Sequence, residues 1–375
     1  MKKIDKNLLN YMVLGENNCQ IEGLIYYNNK PNLICFLNNK NIKIIKELPF
    51  LSAYVVCFKS KEILEIANKN FVTYISSLSS VKTLTYVSKQ IIGTNRISQK
   101  GENQTVAIID TGINPHIDFK LKQSRIIKFY DFINNKNCPY DDNGHGTFVT
   151  GVLAGSGALS NGKYAGIAPK ANIIVLKALN SKGEANAVTI LDAMQWIYDN
   201  HTTYNISTVC MSFGSEPLGS YDPIMKGAEK LWQAGIVVVC AAGNSGPKFQ
   251  TIKSPGISKK IITVGGLDDG RKKDGEYNYK DFKVADFSSR GPANNRIKPD
   301  IIAPSVNIVS CSYKGGYTKM SGTSVATPMV AGMSVLLKQK YPFWTPDQIK
   351  AYIINNAISL RENRYIQGYG IANIN

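Results

Sequence analysis

The stretches TVAIIDTG, DDNGHGTFVTG, VVVCAAGNSGP and SGTSVATP each set one chemically capable side chain among glycines: Asp110, His145, Asn244 and Ser324. Singly, each has an ordinary explanation, since an aspartate after a strand is commonly a turn former and a serine before a helix its N-cap. Together they supply a nucleophile, a base, an orienting carboxylate and an amide donor, which is the set acyl transfer needs. A serine hydroxyl attacks a carbonyl only when an imidazole takes its proton, and His145 is the candidate base among the 3 histidines of the chain. Asp110, at the end of an apolar strand, can hold the ring tautomer and stabilise the imidazolium that forms. The backbone N–H of Ser324, at a helix N-terminus, and the Asn244 side chain are the expected donors to the oxyanion. Beside the serine, Gly322 leaves room for a substrate backbone; further on, Pro328 has no N–H with which to satisfy the Ser324 carbonyl.

Groups so far apart in sequence meet only if rigid elements carry them. From about residue 104 the chain alternates apolar strands with amphipathic helices: TVAIID, then NIIVLKAL before EANAVTILDAMQWIYD, then ISTVCMSF, PIMKGAEKLWQAG, IVVVCAAG and IITVGG. Near-continuous apolar strands separated by helices predict a mainly parallel sheet covered on both faces, an α/β architecture. Ligand chemistry in such sheets collects beyond the carboxyl ends of the strands, where the four side chains fall. Residues 1 to about 80 have another texture. EGLIYYN, NLICFL, SAYVVCF and FVTYIS read as short strands, with one helix, KEILEIANKN, between the last two. This predicts a small α+β domain over residues 1–82, followed by a larger domain over residues 83–375, with the boundary near the start of the 79–104 stretch.

Composition narrows the partners. A hydrophobic fraction of 43% and a charged fraction of 19% are those of a soluble globular protein, and no run approaches the ~20 apolar residues of a membrane span. A net charge of +17 raises the question of nucleic acid, but the lysines are scattered and no aromatic-interleaved basic block occurs. Neither nucleic acid nor a membrane is expected as a partner. The 7 cysteines are odd in number and widely spaced, several of them inside apolar strands, which fits free thiols in a reducing compartment. The lysine-rich start never develops an apolar core or a cleavage site of small residues, so a cytoplasmic location, or release without a recognisable signal peptide, is expected.

In order along the chain, AIIDTGINPHID, DDNGHGT, AAGNSGP, FSSRGP, IKPDIIAP and MSGTSVATP resemble the motifs of the subtilisin-like serine proteases, or subtilases. The order Asp, His, Ser and the SGTSVATP context, with Ala326 in place of a second flanking glycine, set the chain apart from the α/β-hydrolases. The likeness implies a subtilisin-like three-layer sandwich, a serine endopeptidase activity, and Asp110, His145 and Ser324 as the triad with Asn244 in the oxyanion hole. It implies that Ser212, Phe213, Gly214 and Ser215, with Ala241, Ala242 and Gly243, form the walls of the pocket for the P1 side chain and pair with an extended peptide or protein substrate. Lys253 stands where relatives often carry glycine, which suggests a shortened pocket or an acidic P1 preference; the alternative is a side chain that snorkels outward. The N-terminal unit resembles the ferredoxin-like subtilase propeptide, an intramolecular inhibitor and folding aid removed by self-processing near residues 79–86. No cofactor is implied for the chemistry. Asp118 matches a structural calcium ligand of the family, although the loop that completes that site is shortened here to SNGKYAG. Two further readings differ in scope: a narrow processing protease for a leader or signalling precursor, and an inactive subtilase-like scaffold that binds through its cleft.

Overall fold

The computed structural model describes residues 3–4, 8–9, 20–77, 84–219, 222–271 and 276–374; residues 79–83 of the expected processing stretch lie outside them. The chain divides into two compact units, Met1–Val81 and Lys82–Asn375.

In the first unit, strands β1 (Gln20–Tyr27), β2 (Lys43–Leu48), β3 (Ala53–Lys59) and β4 (Val72–Ser77) form one sheet in the order β2-β3-β1-β4. Every neighbouring pair is antiparallel. Helix α1 (Lys30–Asn39) joins β1 to β2, and α2 (Ile63–Ala67) precedes β4. This corrects one expectation, because NLICFL lies within α1 and is not a strand. Ile34, Cys35 and Phe36 favour extended backbone when read locally, but the Asn29 side chain accepts from the Asn32 N–H and caps the first turn. Leu33 and Leu37, one helical turn apart, then bury completely against the sheet residues Ile25, Val56 and Ile75. The strand that sequence reading placed here lies one element later, at Lys43–Leu48.

The second unit is built on an eight-stranded sheet. Its strands are β5 (Thr105–Asp110), β6 (Ile126–Asp131), β7 (Asn172–Lys177), β8 (Ile206–Met211), β9 (Val237–Ala241), β10 (Ile262–Asp268), β11 (Lys283–Val284) and β12 (Ile301–Pro304). The order is β11-β10-β9-β8-β5-β7-β6, with β12 also on β10, and only the β10–β11 pair is antiparallel. All six residues of β5 and all six of β8 are buried, as strands with both faces covered must be. Helices α4 (His145–Ala154) and α7 (Thr323–Lys340) pack on each other and on the sheet, as do α5 (Ala187–Asn200) and α6 (Pro223–Gln233) as a second pair, which makes three layers. The short α3 (Leu84–Ile91) precedes β5, and α8 (Pro346–Asn355) and α9 (Arg364–Gln367) close the chain. A separate hairpin of β13 (Ile308–Cys311) and β14 (Tyr317–Met320) leads into α7. All six described cysteines are free.

Candidate active site

Asp110 is the last residue of β5 and Lys177 the last of the neighbouring β7, so both side chains emerge at the carboxyl edge of the sheet. The Asp110 carboxylate is 1% exposed. Its Oδ1 accepts from the Thr111 N–H at 2.7 Å and lies 2.8 Å from His145 Nδ1. Among the described residues, its Oδ2 has no protein donor. A carboxylate left with one unpaired oxygen in the interior favours a positive partner, and His145 is that partner. Burial pulls the imidazole pKa down, but the charge and hydrogen bond of Asp110, with a smaller contribution from Asp141, outweigh it and leave His145 above the ordinary histidine value.

His145 is the first residue of α4. Its approach to Asp110 depends on glycine: a Cβ at Gly146 would lie 2.1 Å from the Gly112 carbonyl oxygen. Asp141 organises the helix start. Its Oδ1 accepts from Thr111 Oγ1 and from the Asn143 and Gly144 N–H groups, and its Oδ2 from the Thr147 N–H and hydroxyl. Burial raises the Asp141 pKa, yet the Thr147 hydroxyl and the backbone donors hold the carboxyl below the usual aspartate range. Thr111 Oγ1 in turn accepts from Gly146 N–H at 2.9 Å, which closes the link between the strand that carries Asp110 and the helix that carries His145.

Ser324 is the second residue of α7. Asn244 lies three residues beyond the end of β9 rather than at the strand terminus, because the chain turns at Gly243 with φ +106°. Its Oδ1 accepts from both the N–H and the hydroxyl of Thr323, each at 2.9 Å. With the carbonyl committed to the helix N-terminus, the amide nitrogen must face the other way. A Cβ at Gly322 would meet Ser324 Oγ at 3.2 Å and Asn244 Nδ2 at 3.3 Å, so hydroxyl and amide flank one opening. An acceptor placed there is met by the Asn244 amide and by the Ser324 N–H at the start of α7.

A model of the subtilase family matches residues 101–370. The chain belongs to the subtilase family. The serine protease AprX of Bacillus subtilis is 43% identical over 296 residues, which is 73% of this chain and 65% of that relative, so the chain spans just under two thirds of AprX. Subtilisin E, from the same species, is 30% identical over 349 residues, 90% of this chain and 84% of its own. Among solved structures, Sphericase matches at a TM-score of 0.67 and 27% identity, over 79% of this chain and 100% of its own.

Subtilases often hold structural calcium, and the surroundings of Asp118 do not fit it. Oδ1 accepts from the Leu159 N–H, while Oδ2 accepts from the Tyr317 hydroxyl at 2.8 Å and the Cys311 thiol at 3.6 Å. The buried Arg125 guanidinium takes the Asp118 and Ala154 carbonyls. Calcium needs six to eight free oxygens, whereas this carboxylate already has its donors and a fixed cation sits beside it. The neighbouring His116 ring is also engaged, by Asp118 N–H at Nδ1 and by the Gly316 carbonyl at Nε2. Asp118 should therefore make no difference to calcium, and any response of the thermal midpoint to millimolar calcium or a chelator should be the same in the parent and in Asp118→Asn. A calcium-dependent rise that vanishes in Asp118→Asn would reverse this, since occupancy at 100 times Kd adds about 2.7 kcal/mol, a shift of several degrees.

Of the expected pocket residues in this subtilase, Ser212, Ala241 and Ala242 are buried, so their side chains do not line a cleft. Strand β8 ends at Met211, and the 212–215 segment continues without ladder pairing until Ser215 bonds Ser254 in both directions. Phe213, Gly214 and Ser215 border a cleft of ≈ 390 Å³ whose apolar lining is Leu179, Ile190, Leu218 and Ile224. The Lys253 stem lies between the two wall segments: a Cβ at Gly214 would meet its Cβ at 2.6 Å, and one at Gly243 would meet its Cγ at 2.6 Å. Its ammonium turns to the Glu216 carboxylate.

Sequence reading missed Asp141, Thr111 and Lys177. The signal for Asp141 was present, since an aspartate just ahead of a helix start is a cap. Lys177 reads as a strand residue, yet its fully buried ammonium holds the Thr111 and Leu179 carbonyls and Asp142 Oδ1 at 2.6, 3.0 and 2.7 Å.

Proposed function

We propose that this subtilase is a serine endopeptidase that cleaves peptide bonds through Asp110, His145 and Ser324 and is made as a self-processing precursor. The carrying observation is the 2.8 Å contact between His145 Nδ1 and Asp110 Oδ1, with Ser324 and the Asn244 amide flanking one opening. His145 Nε2 takes the Ser324 proton as Oγ bonds to the substrate carbonyl carbon. The oxyanion is held by Asn244 Nδ2 and the Ser324 N–H, and the imidazolium by Asp110. The proton then passes from His145 to the leaving amine as the C–N bond breaks, and water, activated by the same base, releases the acyl group from Ser324. A serine-directed fluorophosphonate should label the parent chain and leave Ser324→Ala unlabelled; no labelling of the parent in either its full-length or its trimmed form would refute the mechanism.

The N-terminal unit serves as the propeptide and intramolecular inhibitor. The similarity to subtilisin E supports this, because a match over 90% of this chain extends into the first unit. The free thiols of the six described cysteines support a reducing, cytoplasmic setting.

Lys253 shortens the P1 pocket: its aliphatic stem fills the gap between the 214 and 243 backbones while Glu216 holds the ammonium aside. Small P1 residues are the expected preference. In a peptide library Lys253→Gly should raise kcat/KM for large apolar P1 residues by roughly 10- to 100-fold, the range one to two pocket methylenes provide. A P1 profile identical in the two proteins would end this reading.

A further inference from the structure

The hairpin of β13 and β14 touches every segment that carries a member of the triad. Ser310 Oγ donates to the Phe148 carbonyl of α4 at 2.8 Å. The turn between its strands binds the loop that follows Asp110: Asn114 Nδ2 donates to the Tyr313 carbonyl, and His116 Nε2 lies 2.9 Å from the Gly316 carbonyl. Its second strand runs through Met320 and Ser321 into the start of α7, where Gly322 N–H bonds the Ser305 carbonyl and Ser321 Oγ accepts from Asn307 N–H.

At the tip of this turn stands Tyr313, whose ring occupies the space over Gly144, the residue immediately before His145. A Cβ at Gly144 would lie 2.4 Å from Tyr313 Cδ1 and 2.8 Å from Cε1. Gly144 has φ +105°, a conformation that other residues rarely adopt and that nothing in its own side chain can enforce. Its backbone is held from one side by the Asp141 carboxylate, which accepts the Gly144 N–H at 2.8 Å, and from the other by the aromatic ring. The peptide that leads into His145 is bonded at both of its polar groups, its carbonyl accepting from the Phe148 N–H at 3.1 Å and its N–H donating to Asn143 Oδ1 at 3.1 Å, and the Tyr313 ring packs beside this turn. A backbone free to rotate there would swing the imidazole away from both Asp110 and Ser324.

We propose that Tyr313 is a positioning residue: its ring, pressed on Gly144, holds His145 in line with Asp110 on one side and Ser324 on the other. The inference rests on the hydrolase reading above but concerns a residue that touches none of the reacting atoms. The proposal assigns the effect to the ring, since the atoms nearest to a Cβ placed on Gly144 are Tyr313 Cδ1, Cε1 and Cγ.

Two measurements test it on the full chain. Steady-state hydrolysis, normalised to sites titrated with a fluorophosphonate, should show kcat lowered about 10- to 100-fold in Tyr313→Ala with KM nearly unchanged, the cost expected when a reacting group is displaced by an ångström or less. Tyr313→Phe should restore the parent kcat. In a Ser324→Ala background, where no turnover occurs, the low-field proton resonance of the His145–Asp110 hydrogen bond should broaden or shift on adding Tyr313→Ala and stay put on adding Tyr313→Phe. Unaltered kcat and resonance in Tyr313→Ala overturn the proposal, as does a loss confined to KM or one shared equally by the phenylalanine variant. An inactive parent whose resonance still responds to Tyr313→Ala leaves the positioning role standing and sinks the hydrolase reading alone.

Discussion

On the proposed mechanism, replacing Ser324 by alanine should lower peptide-bond hydrolysis by about 10⁶-fold and leave the chain at its full 41.3 kDa. That magnitude is the one measured for the catalytic serine of subtilisin, a member of the same family, and the proposed mechanism gives Ser324 the same task. The hydroxyl is the atom that forms the acyl bond, so its loss removes the covalent route and leaves only what the amide donors and substrate binding provide. Mass spectrometry of the purified proteins reads both consequences at once. The parent should yield a trimmed species beginning near residues 79–86, and the variant none. The side-chain change adds no strain, since alanine is well tolerated in the first turn of a helix and Ser324 caps no neighbour through its hydroxyl in the described contacts. Trimming that persists undiminished in Ser324→Ala would mean another protease cuts the chain and would remove the case for self-processing.

The second large effect is at Asp110. Asp110→Asn keeps the size of the side chain and removes its charge, and kcat should fall by about 10⁴-fold, as in the serine protease triad of the chymotrypsin type. The amide oxygen is an uncharged, weaker acceptor than a carboxylate and its NH₂ can instead donate to His145 Nδ1, so the ring can settle in the tautomer that presents a proton, not a lone pair, to Ser324. The pH profile carries a separate signature. His145 must be neutral to act as base, so activity disappears as pH falls through its pKa. In the parent the Asp110 charge holds that pKa above the ordinary histidine value of about 6.5, which places the acid limb of kcat/KM on the high side. In Asp110→Asn the limb should move to lower pH, because burial, which favours the neutral ring, then acts with only the weaker Asp141 contribution against it. A limb that stays in place while kcat falls would show that the titrating base is a different group.

How much of this could be read before any coordinates differs from residue to residue. The β5 run TVAIID is apolar throughout and ends on an aspartate, so its burial, its place in a parallel sheet and the exit of Asp110 at the carboxyl edge all follow from local pattern. His145 and Ser324 were equally legible, because glycine before and threonine near a helix start mark termini whose N–H groups are free. NLICFL misled because β-branched and aromatic side chains speak for a strand, and the Asn29 cap with the Leu33–Leu37 face spoke more strongly for a helix. Asn244 reads as the end of a strand but lies three residues beyond it, since the chain turns at Gly243 in a left-handed conformation.

Other features arise only when remote segments meet. Nothing local to Asp118 reveals that Tyr317, Cys311 and Leu159 satisfy its oxygens, or that the Arg125 guanidinium holds its backbone carbonyl. Nothing local to Lys253 shows that its stem lies between Gly214 and Gly243 or that Glu216 takes its charge. Tyr313 had no signal at all, because its role is a contact with Gly144, a residue far from it in the chain. The amino-acid sequence by itself determined which chemical groups this protein brings to its sheet edge and in what order, since strand ends and helix starts are written in patterns a few residues long. The tertiary structure decided which of those groups are oriented, which pocket is filled and which carboxylate is already satisfied, because such properties belong to distances between segments that no local pattern encodes.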